Sequence, residues 1–132
     1  MKKVMVFGSF DLLHPGHIHL FKQAKQYGDY LVVVIARDAT IEKLKGSAPK
    51  YSERERKAHV QELRIVDKAV LGDAGEHFDA IEEFKPDVIC LGYDQKFFAD
   101  SLEEDLKKRG MKIKIMRLMP YRASRYKSSN LK

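Results

Sequence analysis

The sequence predicts an α/β fold: a Rossmann-like, doubly wound sheet of about five parallel strands with helices on both faces. Two observations predict it. Short β-rich runs alternate with helix-forming stretches along the chain, which implies parallel pairing through right-handed crossovers. Two of the runs, Leu31-Val32-Val33-Val34-Ile35 and Val88-Ile89-Cys90-Leu91, are continuously apolar, as strands covered on both faces should be.

Taken in order, Val4-Met5-Val6-Phe7 is the first strand and is followed by a helix near 17–27. Leu31–Ile35 is the second strand, and a helix near 52–63 precedes the third, Ala69-Val70-Leu71. A helix near 76–84, opening after Gly75 and stopping near Pro86, leads to Val88–Leu91. The last helix, near 100–109, opens after Asp100, stops at Gly110, and leads to Ile113-Lys114-Ile115-Met116. No repeat, low-complexity tract or linker interrupts the series, so residues 1–132 read as one domain, long enough to bury a core without disulfides. Ligands of such sheets sit beyond the carboxyl ends of the strands. The places to look are therefore Gly8, Arg37, Gly72, Gly92 and Met119 onward.

Composition narrows the function classes. Hydrophobic residues make up 44% and charged residues 33%, as in ordinary water-exposed domains. No apolar run approaches the ~20 residues that cross a membrane, and the N-terminus shows no signal-peptide pattern. The lone cysteine, Cys90, lies inside an apolar run, reads as a small buried hydrophobe and cannot form an internal disulfide. A cytoplasmic location is the expectation. Lys and Arg number 25 against 19 Asp and Glu, a formal charge of +6. Nucleic acid or a phosphate-rich small substrate would each explain that field. No RNA-binding aromatic motif or zinc-finger spacing supports the first.

The chemistry concentrates in Gly8-Ser9-Phe10-Asp11-Leu12-Leu13-His14-Pro15-Gly16-His17. A strand runs into a glycine-flanked turn and then into a helix start. Pro15 suits the first helical turn, and Gly16 lets a ligand approach the backbone. A helix N-terminus exposes unpaired N–H groups and the positive dipole end, a natural phosphate site. His14 and His17, three apart, can share one face of that turn and donate hydrogen bonds to oxygens that gain charge during displacement. Two other readings fit the spacing: a zinc pair, for which no Cys or acidic cluster nearby completes a tetrahedron, and a solvated helix start. His19, His59 and His77 lack this setting and read as surface or structural residues.

Together these residues resemble the signature of the cytidylyltransferase-like nucleotidyltransferases. That resemblance implies that His14 and His17 contact a triphosphate, with Gly8, Ser9, Phe10, Asp11 and Gly16 forming the nucleotide-binding turn. Asp11 is then expected to orient the loop or the acceptor, with or without a metal. Leu44-Lys45-Gly46 resembles a mobile loop that brings catalytic Lys45 to the triphosphate, although Lys43 and Lys45 also read as solvated charges. Arg37-Asp38 resembles a segment near the nucleotide, while Asp38 equally suits a helix cap. Arg56, Arg64 and Asp67 match positions that bind substrate or serve structure, Arg64 and Asp67 reading as a structural pair. Gly92-Tyr93-Asp94-Gln95 resembles the element that borders base and ribose. Near the end, Arg122 with Ser128 and Ser129 resembles a triphosphate grip found in glycerol-3-phosphate cytidylyltransferase.

Segments outside the signature are most similar to the archaeal FAD synthetases: Val34–Asp38, Lys43–Gly46, Val66–Gly72, Lys85–Ile89 and Leu91–Gln95. The implied reaction is adenylyl transfer from ATP to FMN. Two alternatives stay open: a cytidylyltransferase using CTP with glycerol 3-phosphate, and a heptose-type sugar-phosphate adenylyltransferase. A non-catalytic nucleotide- or nucleic-acid-binding module is the reading of another class. The resemblance also implies a divalent cation, Mg²⁺ by expectation, held mainly by substrate phosphates. A homodimer is expected, with neither membrane nor nucleic acid as partner.

Overall fold

In the computed structural model, residues 2–72, 78–91 and 96–118 are described. The chain runs β1 (Lys3–Gly8), α1 (Pro15–Lys25), β2 (Tyr30–Ile35), α2 (Asp38–Lys45), α3 (Glu53–Gln61), β3 (Lys68–Leu71), α4 (Phe78–Phe84), β4 (Val88–Leu91), α5 (Lys96–Lys108) and β5 (Lys114–Arg117). The five strands form one parallel sheet in the order β3-β2-β1-β4-β5. The chain builds outward from β1 to β3, then returns to place β4 against the other side of β1. That reversal sets the crevice at the carboxyl ends of β1 and β4.

Period-two alternation sorts the strand residues onto two faces. Val4, Val6, Leu31, Val33, Ala69, Val88 and Cys90 pack with Phe21 and Ala24 of α1 and Val60 of α3. Met5, Phe7, Val32, Val34, Ile89 and Leu91 pack with Ile81 of α4 and with Leu102 and Leu106 of α5. Helices thus cover both faces, as the apolar runs required. Each fully buried aliphatic side chain contributes about 1.5–3 kcal/mol. Cys90 is buried as expected, and burial pushes its thiol up to about 12.

The amino edge of the sheet repeats one device three times. Asp29, Asp67 and Asp87 each stand one residue before a strand. Each carboxylate accepts the N–H of a residue on the adjoining strand or its start: Lys2 at 3.0 Å, Leu31 at 2.7 Å and Lys3 at 2.9 Å respectively. Each aspartate N–H in turn donates to the carbonyl of that same residue.

The helices differ from the sequence expectation in three places. Helix α1 begins at Pro15 rather than near 17, because His14 supplies the N-cap. Helix α5 begins at Lys96, so Asp100 lies inside it, and an aspartate inside a helix is only mildly unfavourable. Helix α2 stood outside the expected helices. Its N-cap, Arg37, makes no side-chain capping bond, so the local start signal is missing. A distant carboxylate, Glu53, receives the Asp38 N–H instead, at 2.9 Å. Helix α3, by contrast, opens with a full capping box between Ser52 and Glu55.

Candidate active site

Strand β1 ends in a turn that Phe10 sets with a left-handed φ of 49°. A residue with a Cβ meets steric cost there; burial of the ring, 3% exposed, holds it in place. The ring packs on Phe21 and edge-on against His17, both at 5.3 Å between centroids. Gly8 makes room for it, since a Cβ on Gly8 would come within 2.6 Å of the Phe10 ring. The glycine of this turn therefore serves close packing.

Beyond the turn, the His14 and His17 rings stack with centroids 3.9 Å apart and planes 26° from parallel. The structure brings the expected pair together, with His14 exposed and His17 half-buried. His14 Nδ1 accepts the Gly16 N–H at 3.0 Å. Accepting at Nδ1 places the proton of a neutral imidazole on Nε2, which can then donate outward. The His17 and Ile18 N–H groups turn back to the His14 carbonyl, and Pro15 has none. This corrects one expectation. The first turn of α1 offers no open backbone N–H, and the Gly16 N–H is engaged by His14. What the turn presents to an anion is imidazole and the dipole.

Arg56 is fully buried and donates four hydrogen bonds. Its Nε donates to the Tyr51 carbonyl, Nη1 to those of Ser9 and Ala36, and Nη2 to Asp38 Oδ1 at 2.7 Å. Arg37 donates to the Gly72 carbonyl and to Glu53, whose other oxygen takes the Asp38 N–H. Arg37, Asp38 and Arg56, open between substrate and structure in the sequence, are here joined into one scaffold at the carboxyl ends of β2 and β3. Asp38 is the first residue of α2, not its cap.

Asp11 faces the segment between α2 and α3. Its two oxygens accept the Lys50 and Tyr51 N–H groups at 2.7 and 2.8 Å. Burial pushes its carboxyl up, but these bonds and the charges of Arg56 and Lys45 outweigh it and hold the group below its ordinary range. Lys45 stands five residues before Lys50, whose N–H Asp11 holds. Lys45 lies in the last turn of α2 rather than in a loop, and Gly46, with φ 78°, terminates the helix.

Arg64 and Asp67 are not a pair. Asp67 binds the Lys25 ammonium and the Leu31 N–H at the amino edge, away from the carboxyl ends of the strands. Arg64 is exposed and makes no ion pair among the described residues. Gly92, Asp94, Gln95, Arg122, Ser128 and Ser129 lie outside the described residues. A cavity of about 500 Å³ opens beside His14, lined by Leu13, His14, Pro15, Ile18, His19 and Lys22. Sequence reasoning set His19 aside as a surface or structural residue and did not single out Lys22 or Glu53. The helical spacing from Pro15 to Lys22 puts the first two on the His14 side, but nothing local marks Glu53. Among the described residues no group of three His, Cys, Asp or Glu side chains is placed to hold a metal. None of the described helices is long and apolar enough to cross a membrane.

The model of the cytidylyltransferase-like family matches residues 5–132. The chain belongs to that family. This nucleotidyltransferase is 47% identical over 121 residues to an FAD synthase of Aciduliprofundum boonei, a match covering 92% of this chain and 80% of the relative. It is 44% identical over 132 residues to an FAD synthase of Thermoplasma volcanium, covering 100% of this chain and 92% of the relative. Among solved structures, the lipopolysaccharide core biosynthesis protein of Thermoplasma volcanium superposes with a TM-score of 0.86 at 46% identity, covering 92% of this nucleotidyltransferase and 98% of its counterpart.

Proposed function

We propose that this nucleotidyltransferase is an FAD synthase, joining ATP and FMN to give FAD and pyrophosphate. A phosphate oxygen of FMN attacks the α-phosphorus of ATP in line. The new P–O bond forms as the bond to the β-phosphate bridge breaks, and pyrophosphate leaves. No covalent enzyme intermediate is needed, so the protein supplies position and positive charge. The observation that carries this reading is the stacked imidazole pair at the end of β1, 3.9 Å between centroids, in a family member 42–47% identical to several FAD synthases. His14 donates from Nε2, and Lys45 adds charge where the pyrophosphate oxygens develop theirs. Gly8, Ser9 and Phe10 shape the turn that receives the triphosphate. Gly92, Asp94 and Gln95 border base and ribose, and Arg122, Ser128 and Ser129 grip phosphate.

A divalent cation, Mg²⁺ in our reading, would supply charge screening of the triphosphate when bound. The described residues fit a cation carried on substrate oxygens: both Asp11 oxygens are on backbone N–H groups, and Asp38 holds Arg56. Action in the cytoplasm as a homodimer belongs to the same proposal, and sedimentation checks the dimer.

Pyrophosphate release tests the reaction, with ATP or CTP each offered FMN or glycerol 3-phosphate. Release with ATP and FMN alone supports FAD synthesis. Release only with CTP overturns the adenylyl assignment, and tight nucleotide binding without release supports a binding module. A second reading, a sugar-phosphate adenylyltransferase, is favoured by the name of the solved relative. It requires release with ATP and a heptose phosphate but not with FMN.

A further inference from the structure

We propose that Asp11 is a positioning residue whose carboxylate latches the α2–α3 connection to the signature turn and so fixes the end of α2 that carries Lys45. The inference rests on the nucleotidyltransferase reading and assigns this acid a task other than holding metal or acceptor.

The geometry is two-sided. From the turn, Asp11 takes the N–H groups of Lys50 and Tyr51. From the other side, Arg56 donates to the carbonyls of Tyr51 and Ser9, so the two segments are cross-tied at adjacent residues. The left-handed φ of Phe10 immediately precedes Asp11, in a turn held by Phe10 burial. The connection itself has little else to hold it. Among the described residues Ser47, Ala48 and Pro49 make no hydrogen bond, and Ser47 and Ala48 are exposed. Gly46 sits in open space with nothing within 4 Å of where a Cβ would be. Release of the Lys50 and Tyr51 N–H groups therefore frees the chain from Gly46 to Lys50, and with it the end of α2 that carries Lys45.

Using both oxygens on backbone N–H groups also solves an electrostatic problem. The two N–H donors and the charges of Arg56 and Lys45 offset part of the carboxylate's negative field, which would otherwise oppose a triphosphate.

The test is Asp11→Ala, with Asp11→Asn as the near-isosteric variant that keeps one acceptor oxygen. Hydrogen exchange of the Lys50 and Tyr51 amides reads the latch in the free protein, without any substrate. Exchange is expected to rise about ten-fold or more in Asp11→Ala and by less in Asp11→Asn. With ATP and FMN, kcat is expected to fall while KM for FMN and the Mg²⁺ requirement stay within about two-fold, because no substrate contact is lost. Adding Lys45→Ala to Asp11→Ala is expected to cost little further activity, because the lysine has already lost its place. Unchanged exchange at Lys50 and Tyr51 overturns the latch. So does a ten-fold rise in the Mg²⁺ requirement, or full additivity of the Asp11 and Lys45 losses. Failure of wild-type protein to use FMN tells against FAD synthesis alone, because the exchange readout does not involve an acceptor.

Discussion

Replacing Arg56 by methionine keeps most of the side-chain volume and removes the guanidinium. The group is fully buried, and it donates to the carbonyls of Tyr51, Ser9 and Ala36 and to the Asp38 carboxylate. Losing one partner of a buried, hydrogen-bonded charge pair costs about 3–5 kcal/mol. Asp38 retains 36% of its side-chain exposure, and Ser9, Ala36 and Tyr51 are half-buried, so water re-solvates part of what is left. About 3 kcal/mol is the expected loss, near the lower end of that range. For a chain of this length each kcal/mol lowers Tm by roughly 3–5 °C, giving a drop of roughly 9–15 °C. Circular dichroism melts and urea titrations measure it, with Arg56→Lys as the companion. Lysine keeps the charge but not the planar fork, so it is expected to recover only part of the stability. A Tm within about 3 °C of wild type, together with lost turnover, would refute the architectural role and make Arg56 a substrate contact.

His14→Ala is expected to lower turnover by about 10²–10³ through loss of a positioned donor, and stability by about 1 kcal/mol through loss of the cap. His14→Asn restores the cap but not the activity. Equal turnover in Asn and wild type would remove the catalytic role. Gly8→Ala drives a methyl to 2.6 Å from the Phe10 ring, and a destabilisation of about 1–3 kcal/mol is expected in urea titrations; an unchanged midpoint argues against that packing. Burial raises the Asp67 carboxyl, but the Lys25 ammonium and the Leu31 N–H outweigh it and leave it below its ordinary value. A depressed folded value means the stabilisation is complete above the ordinary carboxylate range and disappears as pH falls through the folded one. The urea midpoints of wild type and Asp67→Asn are therefore expected to converge on acidification, and a gap independent of pH refutes the linkage.

What the sequence revealed was what local pattern can encode. Strands Leu31–Ile35 and Val88–Leu91 were legible because unbroken apolar runs have few other uses, and the sheet then followed from alternation. The His14–His17 pair was legible because three residues of helix bring two rings to one side. The scaffold beneath them was not. Arg56 reaches Ser9 and Ala36, 47 and 20 residues away, and Glu53 meets Arg37 across 16. No periodicity marks such partners. Asp67 shows the same limit: its neighbour in sequence, Arg64, looked like its mate, yet the cation that arrives is Lys25, brought by helix α1 from 42 residues upstream. Helix α2 carries no local start signal because its first N–H is tethered by Glu53 rather than by a capping side chain.

The reciprocal aspartate contacts at the floor of the sheet govern the roof. Slippage by a single residue along a parallel pair displaces one strand by ~3.3 Å and inverts its side chains. Asp29, Asp67 and Asp87 forbid that slippage where β2, β3 and β4 set out. Turns at the far ends consequently emerge at matched heights, and Ser9, Ala36 and Gly72 come within reach of two arginines. Alignment of the chemistry is thus decided at the opposite pole of the molecule from the signature turn.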